Sequence, residues 1–251
     1  MFSDIIELRD FYQNPLGQMA RQALRTRIEN MWPDMRGERV LTLGYGEPLL
    51  EMLAPKAAEL YAFMPAAQGV SYWPAKGPNI SCLVEINNLP LPDNSIDRVI
   101  VLHALEGVPD PTSMLREVWR VMKSGGRLLT IIPNRRGLWA HSDRTPFGNG
   151  QPYSASQIKN TLHNQGFLIE SLRHALYTPP SLMRLNLSLS ARIEKIAAAL
   201  FPGFGGLLVL EASKQLYAPR EAKEALRHRL VLPLSIPGSQ PLPASRVAAE
   251  H

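Results

Sequence analysis

The chain has 251 residues, an ordinary apolar share of 45% and a formal charge of +5, which suits one large domain or a domain with an appendage. Its single cysteine, Cys82, excludes an internal disulfide framework and a multi-cysteine metal site, and points to a reducing, cytoplasmic setting. The opening MFSDIIELRDFY is acidic early and lacks a long apolar core, so no signal peptide is expected, and no apolar run approaches the ~18 residues of a membrane span.

Ile5 to Met31 mixes three- and four-residue apolar spacings and is interrupted by Pro15 and Gly17, which predicts two helices with a break near Asn14–Gly17. Val40–Gly44 reads as the first strand. It runs into Gly44–Tyr45–Gly46 and a short helix, Pro48–Ala54, with proline in its first turn. Glu59–Phe63 is a second strand. The stretch MPAAQGVSYWPAKGPN, residues 64–79, then holds three prolines and two glycines, which forbid a long crossover helix. Ile80–Glu85 and Asp97–Leu102 are the next strands. Pro111–Met122 has helical spacing, with Lys123 and SGG expected to end it as a basic last turn and a glycine cap. Arg127–Ile132 is the fifth strand. Ser154 and Gln157 form a capping box, and Phe167–Leu176 and Leu207–Ala212 complete seven strands. Ser181–Leu200 is expected to be an amphipathic helix that packs on the sheet or touches a membrane. The stretch from Leu232 is rich in proline and serine.

Strands alternating with helices imply an α/β fold, a doubly wound and mainly parallel seven-stranded sheet with its last strand antiparallel. The expected organisation is a helical segment at 1–36, a domain at 37–217, and a partly disordered tail at 218–251. Ligands of such sheets sit beyond the carboxyl ends of the strands, near the switch point. That gathers Gly44–Glu47, Met64, Glu85–Asn88, His103–Glu106 and Pro133–Gly137 around one crevice.

Residues 82–132 carry the strongest pattern, with LPLPDNSIDRVI, LREVWRVMKSGG and RLLTIIPN in order. Over roughly residues 38–172 the chain resembles the class I S-adenosylmethionine-dependent methyltransferases that act on small molecules. The resemblance implies a Rossmann-like methyltransferase fold, S-adenosylmethionine as cofactor and a small-molecule methyl acceptor as partner. It places the cofactor's glycine loop at Gly44, Tyr45 and Gly46, and the adenine-side acid at Glu85 with Ile86 beside it. The chain departs from the family at Thr42, at Pro48 in place of a third glycine, and at Met64 in place of the ribose-binding acid. Methionine is a weak acceptor. Glu47, Gln68 or Tyr72 would have to substitute, and Glu47 is assigned to the cofactor's cationic amino group. On this reading Gly46→Val blocks the cofactor while the protein stays folded.

His103, at the carboxyl end of the fourth strand, is the candidate base for methyl transfer, or a histidine lining a cleft. Glu106 is a similar candidate, or an exposed loop acid. Tyr12 closes over the cofactor, or packs between helices. Asn134–Arg135–Arg136 suit a carboxylate or phosphate, or form a solvated basic loop. Trp73, Trp139 and Phe147 are substrate-pocket walls or loop anchors. His141 and Asp143 lack a third ligand for a metal. No Walker loop or nucleophile elbow is present. The leading function is methyl transfer to a small molecule. The alternative is a non-catalytic binding or regulatory protein on a degenerate methyltransferase fold. Nucleic-acid binding has only the charge behind it.

Overall fold

Arg39–Gly44 (β1) buries Val40, Leu41 and Leu43 completely. Alternate residues of a strand face opposite ways. Val40 accordingly joins one core and Leu41 and Leu43 another, so the sheet is covered on both sides. The computed structural model describes residues 3–180 and 203–215. Among them Glu59–Pro65 (β2), Ser81–Val84 (β3), Ile96–Leu102 (β4), Met122–Pro133 (β5), Phe167–Ala175 (β6) and Leu207–Lys214 (β7) join β1 in the order β3-β2-β1-β4-β5-β7-β6. The first five strands pair in parallel, while β7 runs antiparallel to both β5 and β6. This is the doubly wound sheet expected from the sequence, with its antiparallel last strand. β1 lies inside it beside β4, at the point where the strand order reverses.

Ile5–Gln13 (α1) and Pro15–Met31 (α2) meet at Asn14, whose side chain accepts from Gly17 N at 2.9 Å with Pro15 in the first turn. Their buried residues, including Leu8, Phe11, Tyr12, Leu24 and Ile28, share the core of Val40. Glu47–Leu53 (α3) lies on the same face, through Leu49 and Leu53. Thr112–Val121 (α4) and Ala155–Asn164 (α5) cover the other face with Met114, Leu115, Val118, Ile158 and Leu162. The Ser154–Gln157 capping box opens α5. Between β2 and β3, residues 66–80 form no helix, in keeping with their prolines and glycines. By its contacts the chain divides into residues 1–216 and 217–251. The tail and the expected helix Ser181–Leu200 lie outside the described residues.

Two expectations need correction. The first concerns the end of α4, which stops at Val121 without a glycine cap, and Met122–Gly126 are already part of β5. The terminal carbonyls are satisfied from elsewhere. Asn94 N donates to Arg120 O, Ser95 N to Val121 O, and the Lys214 ammonium to the carbonyls of Trp119 (2.7 Å) and Met122 (2.6 Å). A carbonyl with a tertiary donor needs no local cap. Lys123 turns instead to Asp97, 2.7 Å away.

The second concerns the glycine loop. Gly44 has φ +95°, and a Cβ there would lie 2.1 Å from Leu102 O. A Cβ on Gly46 would lie 2.4 Å from Thr42 Oγ1 and 2.5 Å from Thr42 Cβ. Both glycines are thus demanded by the chain's own packing, at the joint between β1 and β4, so a variant such as Gly46→Val strikes the fold before any ligand.

Two outcomes follow from these contacts. Gly46→Ala should lower unfolding free energy by about 1–3 kcal/mol, the cost of overpacking a close-fitted site, as read by urea titration. Lys214, only 3% exposed, also donates to Asn94 Oδ1. Lys214→Met should strand the carbonyls of Trp119 and Met122 and cost about 2–4 kcal/mol in the same titration.

Candidate functional site

β4 ends at Leu102, and the next residue turns sharply: His103 has φ +54°, a left-handed conformation that is uncommon for a residue with a side chain. The turn aims the imidazole back into the crevice, where it is 4% exposed. Gln68, from the loop after β2, holds the His103 carbonyl through its Nε2 at 2.8 Å. The ring is contacted on three sides. Nε2 lies 2.8 Å from the Tyr12 hydroxyl, Nδ1 lies 3.4 Å from Glu106 Oε1, and the Phe147 ring packs 4.6 Å from it.

Burial above all, with the nearby Tyr45 and the Glu106 charge, pushes the Tyr12 phenol well above its ordinary pKa. The phenol therefore stays protonated and shares a hydrogen bond with Nε2, while Nδ1 faces Glu106. An imidazole with a carboxylate on its far side has the geometry that a general base uses.

A second group adjoins the first. The Tyr45 ring stacks on Tyr12 at 5.8 Å. Its hydroxyl donates to Glu47 Oε2 at 2.8 Å, and Ser71 Oγ donates to the same oxygen at 3.0 Å. Burial first, then the Glu47 charge, raises the Tyr45 pKa. Met64, at the position of the expected ribose acid, is fully buried, and its sulfur accepts from Ser71 N at 3.4 Å. Met64 thus seats Ser71, and Ser71 orients Glu47. Beyond Glu47 opens a cavity of about 370 Å³ lined by Ile5, Ile6, Arg9, Glu47, Val70, Ser71 and Tyr72.

Two acceptors buried in this crevice have no partner: Gln68 Oε1 and Glu106 Oε2. Leaving such an atom unsatisfied costs about 1–3 kcal/mol. A ligand that brings hydroxyl or amino donors would relieve both. By that measure the crevice fits a polar ligand that carries hydrogen-bond donors. Glu85 is exposed and Ile86 half-buried at the end of β3, and neither lines the cavity. β3 stands three strands from β4, about 14 Å at the usual strand spacing. Only an elongated ligand would reach both His103 and Glu85.

The structure brings Gly44, Tyr45, Gly46, Glu47 and His103 to one end of the sheet, and adds Tyr12 and Glu106. Glu106 is not an exposed loop acid but 5% exposed. Its spacing of three residues from His103, in a 3₁₀ turn over Leu105–Gly107, is the signal that would have paired them. Ser71 and Arg9 had no signal in the sequence, since only the packing of the loop after β2 and of α1 brings them to the cavity beside Glu47. Trp139 and Phe147 are both 1% exposed, and Trp139 Nε1 donates to Thr178 O at 2.9 Å, which makes Trp139 a loop anchor. Asn134 is spent on the carbonyls of Gly203 and Gly205. Arg135 and Arg136 remain exposed. Among the described residues no helix is long and apolar enough to cross a membrane.

Residues 41–130 match the family model described as a methyltransferase domain. A demethylmenaquinone methyltransferase of Listeria welshimeri is 51% identical over 88 residues, which is 34% of this chain and 37% of that relative. The match therefore spans little more than a third of the relative's length. A Thermotoga maritima structure, described as an S-adenosylmethionine-dependent methyltransferase and possible histamine N-methyltransferase, aligns with TM-score 0.59. It is 17% identical, over 84% of this chain and 96% of that one. The geranyl diphosphate C-methyltransferase of Streptomyces coelicolor, solved with S-adenosylhomocysteine, aligns with TM-score 0.54 at 15% identity, over 77% of each chain. These structural likenesses are of fold. Together with the matched domain over residues 41–130, the sheet order and the glycine loop on β1, they support a class I S-adenosylmethionine-dependent methyltransferase fold for this chain.

Proposed function

We propose that this chain transfers a methyl group from S-adenosylmethionine to a small-molecule acceptor in the crevice beside His103. The observation that carries the reading is the pair of partnerless buried acceptors, Gln68 Oε1 and Glu106 Oε2, flanking a histidine at the carboxyl end of β4. When bound, S-adenosylmethionine supplies an electrophilic methyl group on a sulfonium centre. The chain's own contribution is alignment, charge placement and exclusion of water.

In this reading the backbone of Gly44–Tyr45–Gly46 receives the methionine end of the cofactor, and the Glu47 carboxylate meets its amino group. Gln68 Oε1 accepts from the ribose in place of the acid that Met64 replaces. Glu85, with Ile86 beside it, serves the adenine. His103 Nε2 removes a proton from the acceptor's nucleophilic group, and Glu106 supports the resulting imidazolium through Nδ1. Phe147 and Trp139, both buried, keep that end of the crevice dry. Ile6, Val70 and Tyr72 present apolar surface at the cavity. That mouth suits an apolar ring, the acceptor type named for the quinone methyltransferases among the relatives.

Calorimetry with S-adenosylmethionine and S-adenosylhomocysteine tests the reading. Saturable micromolar binding is expected. Glu47→Gln should weaken it by about 1–2 kcal/mol, roughly five- to thirtyfold, the scale of one charge-assisted hydrogen bond. Glu85→Ala should weaken it with little change in thermal stability, because its carboxylate is exposed. Absence of binding at millimolar ligand would transfer the reading to a non-catalytic protein on this fold.

A further inference from the structure

The nitrogen assigned the role of base is not free. His103 Nε2 is occupied by the Tyr12 hydroxyl at 2.8 Å, and Tyr12 is only 1% exposed. Tyr12 comes from α1, a nine-residue helix outside the sheet. No acceptor can reach Nε2 while that phenol is seated. The same helix is tied to the core at its other end, where Ile5 N donates to Gln68 O at 2.9 Å. Gln68 in turn holds the His103 carbonyl. One residue thus touches both the start of α1 and the backbone of the base.

The cavity lies under this helix. Ile5, Ile6 and Arg9 of α1 form one wall, while Glu47, Val70, Ser71 and Tyr72 of the loops form the other. A ligand that fills it would press on α1 directly. Next to it, Tyr45 bonds Glu47 and stacks on Tyr12, so a ligand engaging Glu47 also acts on the residue against which Tyr12 rests. The partnerless Gln68 Oε1 and Glu106 Oε2 leave the closed arrangement incompletely satisfied, which favours exchange of the phenol for a ligand rather than a permanent seal.

We propose that α1 is a gate: Tyr12 masks His103 Nε2 in the free protein, and a ligand entering the cavity beneath α1 displaces it and unmasks the base. The proposal rests on the reading of this crevice as the cofactor and acceptor site. It adds that occupancy and base availability are coupled. Proton abstraction is then available only once a ligand is in place, which protects the site from idle chemistry with water.

The test uses the full chain and its Tyr12→Phe variant, which keeps the ring and removes the hydroxyl. Diethyl pyrocarbonate acylates the unprotonated imidazole nitrogen, and peptide mass spectrometry reads each histidine separately. The exposed His141 and His163 serve as internal references. In the parent without ligand, His103 should react far more slowly than either. In Tyr12→Phe it should react about three- to tenfold faster than in the parent, and S-adenosylhomocysteine should associate faster by a similar factor, that of one lost hydrogen bond. Equal His103 labelling in parent and variant would overturn the mask.

Hydrogen exchange on the parent gives a second measurement that needs no variant. Added S-adenosylhomocysteine should change exchange in residues 5–13 and leave residues 155–164 as they were. Binding without a change in residues 5–13 would overturn the gate. If S-adenosylhomocysteine binds to neither protein, the cofactor reading fails, while the labelling comparison still decides whether Tyr12 masks His103.

Discussion

The joint between the ends of β1 and β4 sets the geometry of everything at the carboxyl end of the sheet. Gly44 passes so close to Leu102 O that no side chain fits, and Gly46 folds back onto Thr42. With β1 and β4 drawn together there, the chain leaves β4 in the left-handed turn at His103, and the imidazole points into the crevice rather than out to solvent. Such a turn persists only where the surroundings enforce it. Here they are Gln68 on the carbonyl, Tyr12 on Nε2, Glu106 near Nδ1 and Phe147 against the ring. The glycine loop therefore does two jobs: it lets two strands meet, and by meeting they aim His103.

Buried charge performs the corresponding work at the opposite end of the sheet. Lys214 binds Asn94 and the carbonyls of Trp119 and Met122 at the junction of α4 and β5, which ties β7 to the far side of β4 and β5. Glu211 accepts from Trp32 Nε1 at 2.9 Å and from Arg127 at 2.7 Å, fastening the end of α2 to β7 and β5. Arg98 lies 4.8 Å over the Trp32 ring and pairs with Glu38. Buried ions are tolerated when their donors and acceptors are met, and removing one partner is costly. These contacts hold the rigid end, so movement of α1 at the other end need not loosen the sheet.

The sequence was most legible where short-range pattern governs. The apolar runs of Val40–Gly44 and the later strands specified the sheet, because a strand buried on both faces has few other ways to satisfy its side chains. Asn14 with Pro15, and Ser154 with Gln157, marked helix starts through local hydrogen bonds that need no tertiary partner. Proline and glycine in residues 64–79 excluded a helix by backbone chemistry alone. The end of α4 was misread for the converse reason: its cap comes from Lys214, far away in the chain, and no local signal records that.

From the sequence alone came the doubly wound α/β fold, the central place of the glycine loop and the candidacy of His103, since strand periodicity, turn chemistry and motif order are properties of neighbouring residues. Only the tertiary structure decided what those residues face. It made Gly46 a packing necessity, turned Glu106 inward beside the histidine, gave Met64 to Ser71, and set the phenol of Tyr12 on the nitrogen that would act as base. Each of these depends on contacts between segments distant in sequence, and such contacts are set by how the helices close over the sheet, which no local pattern encodes.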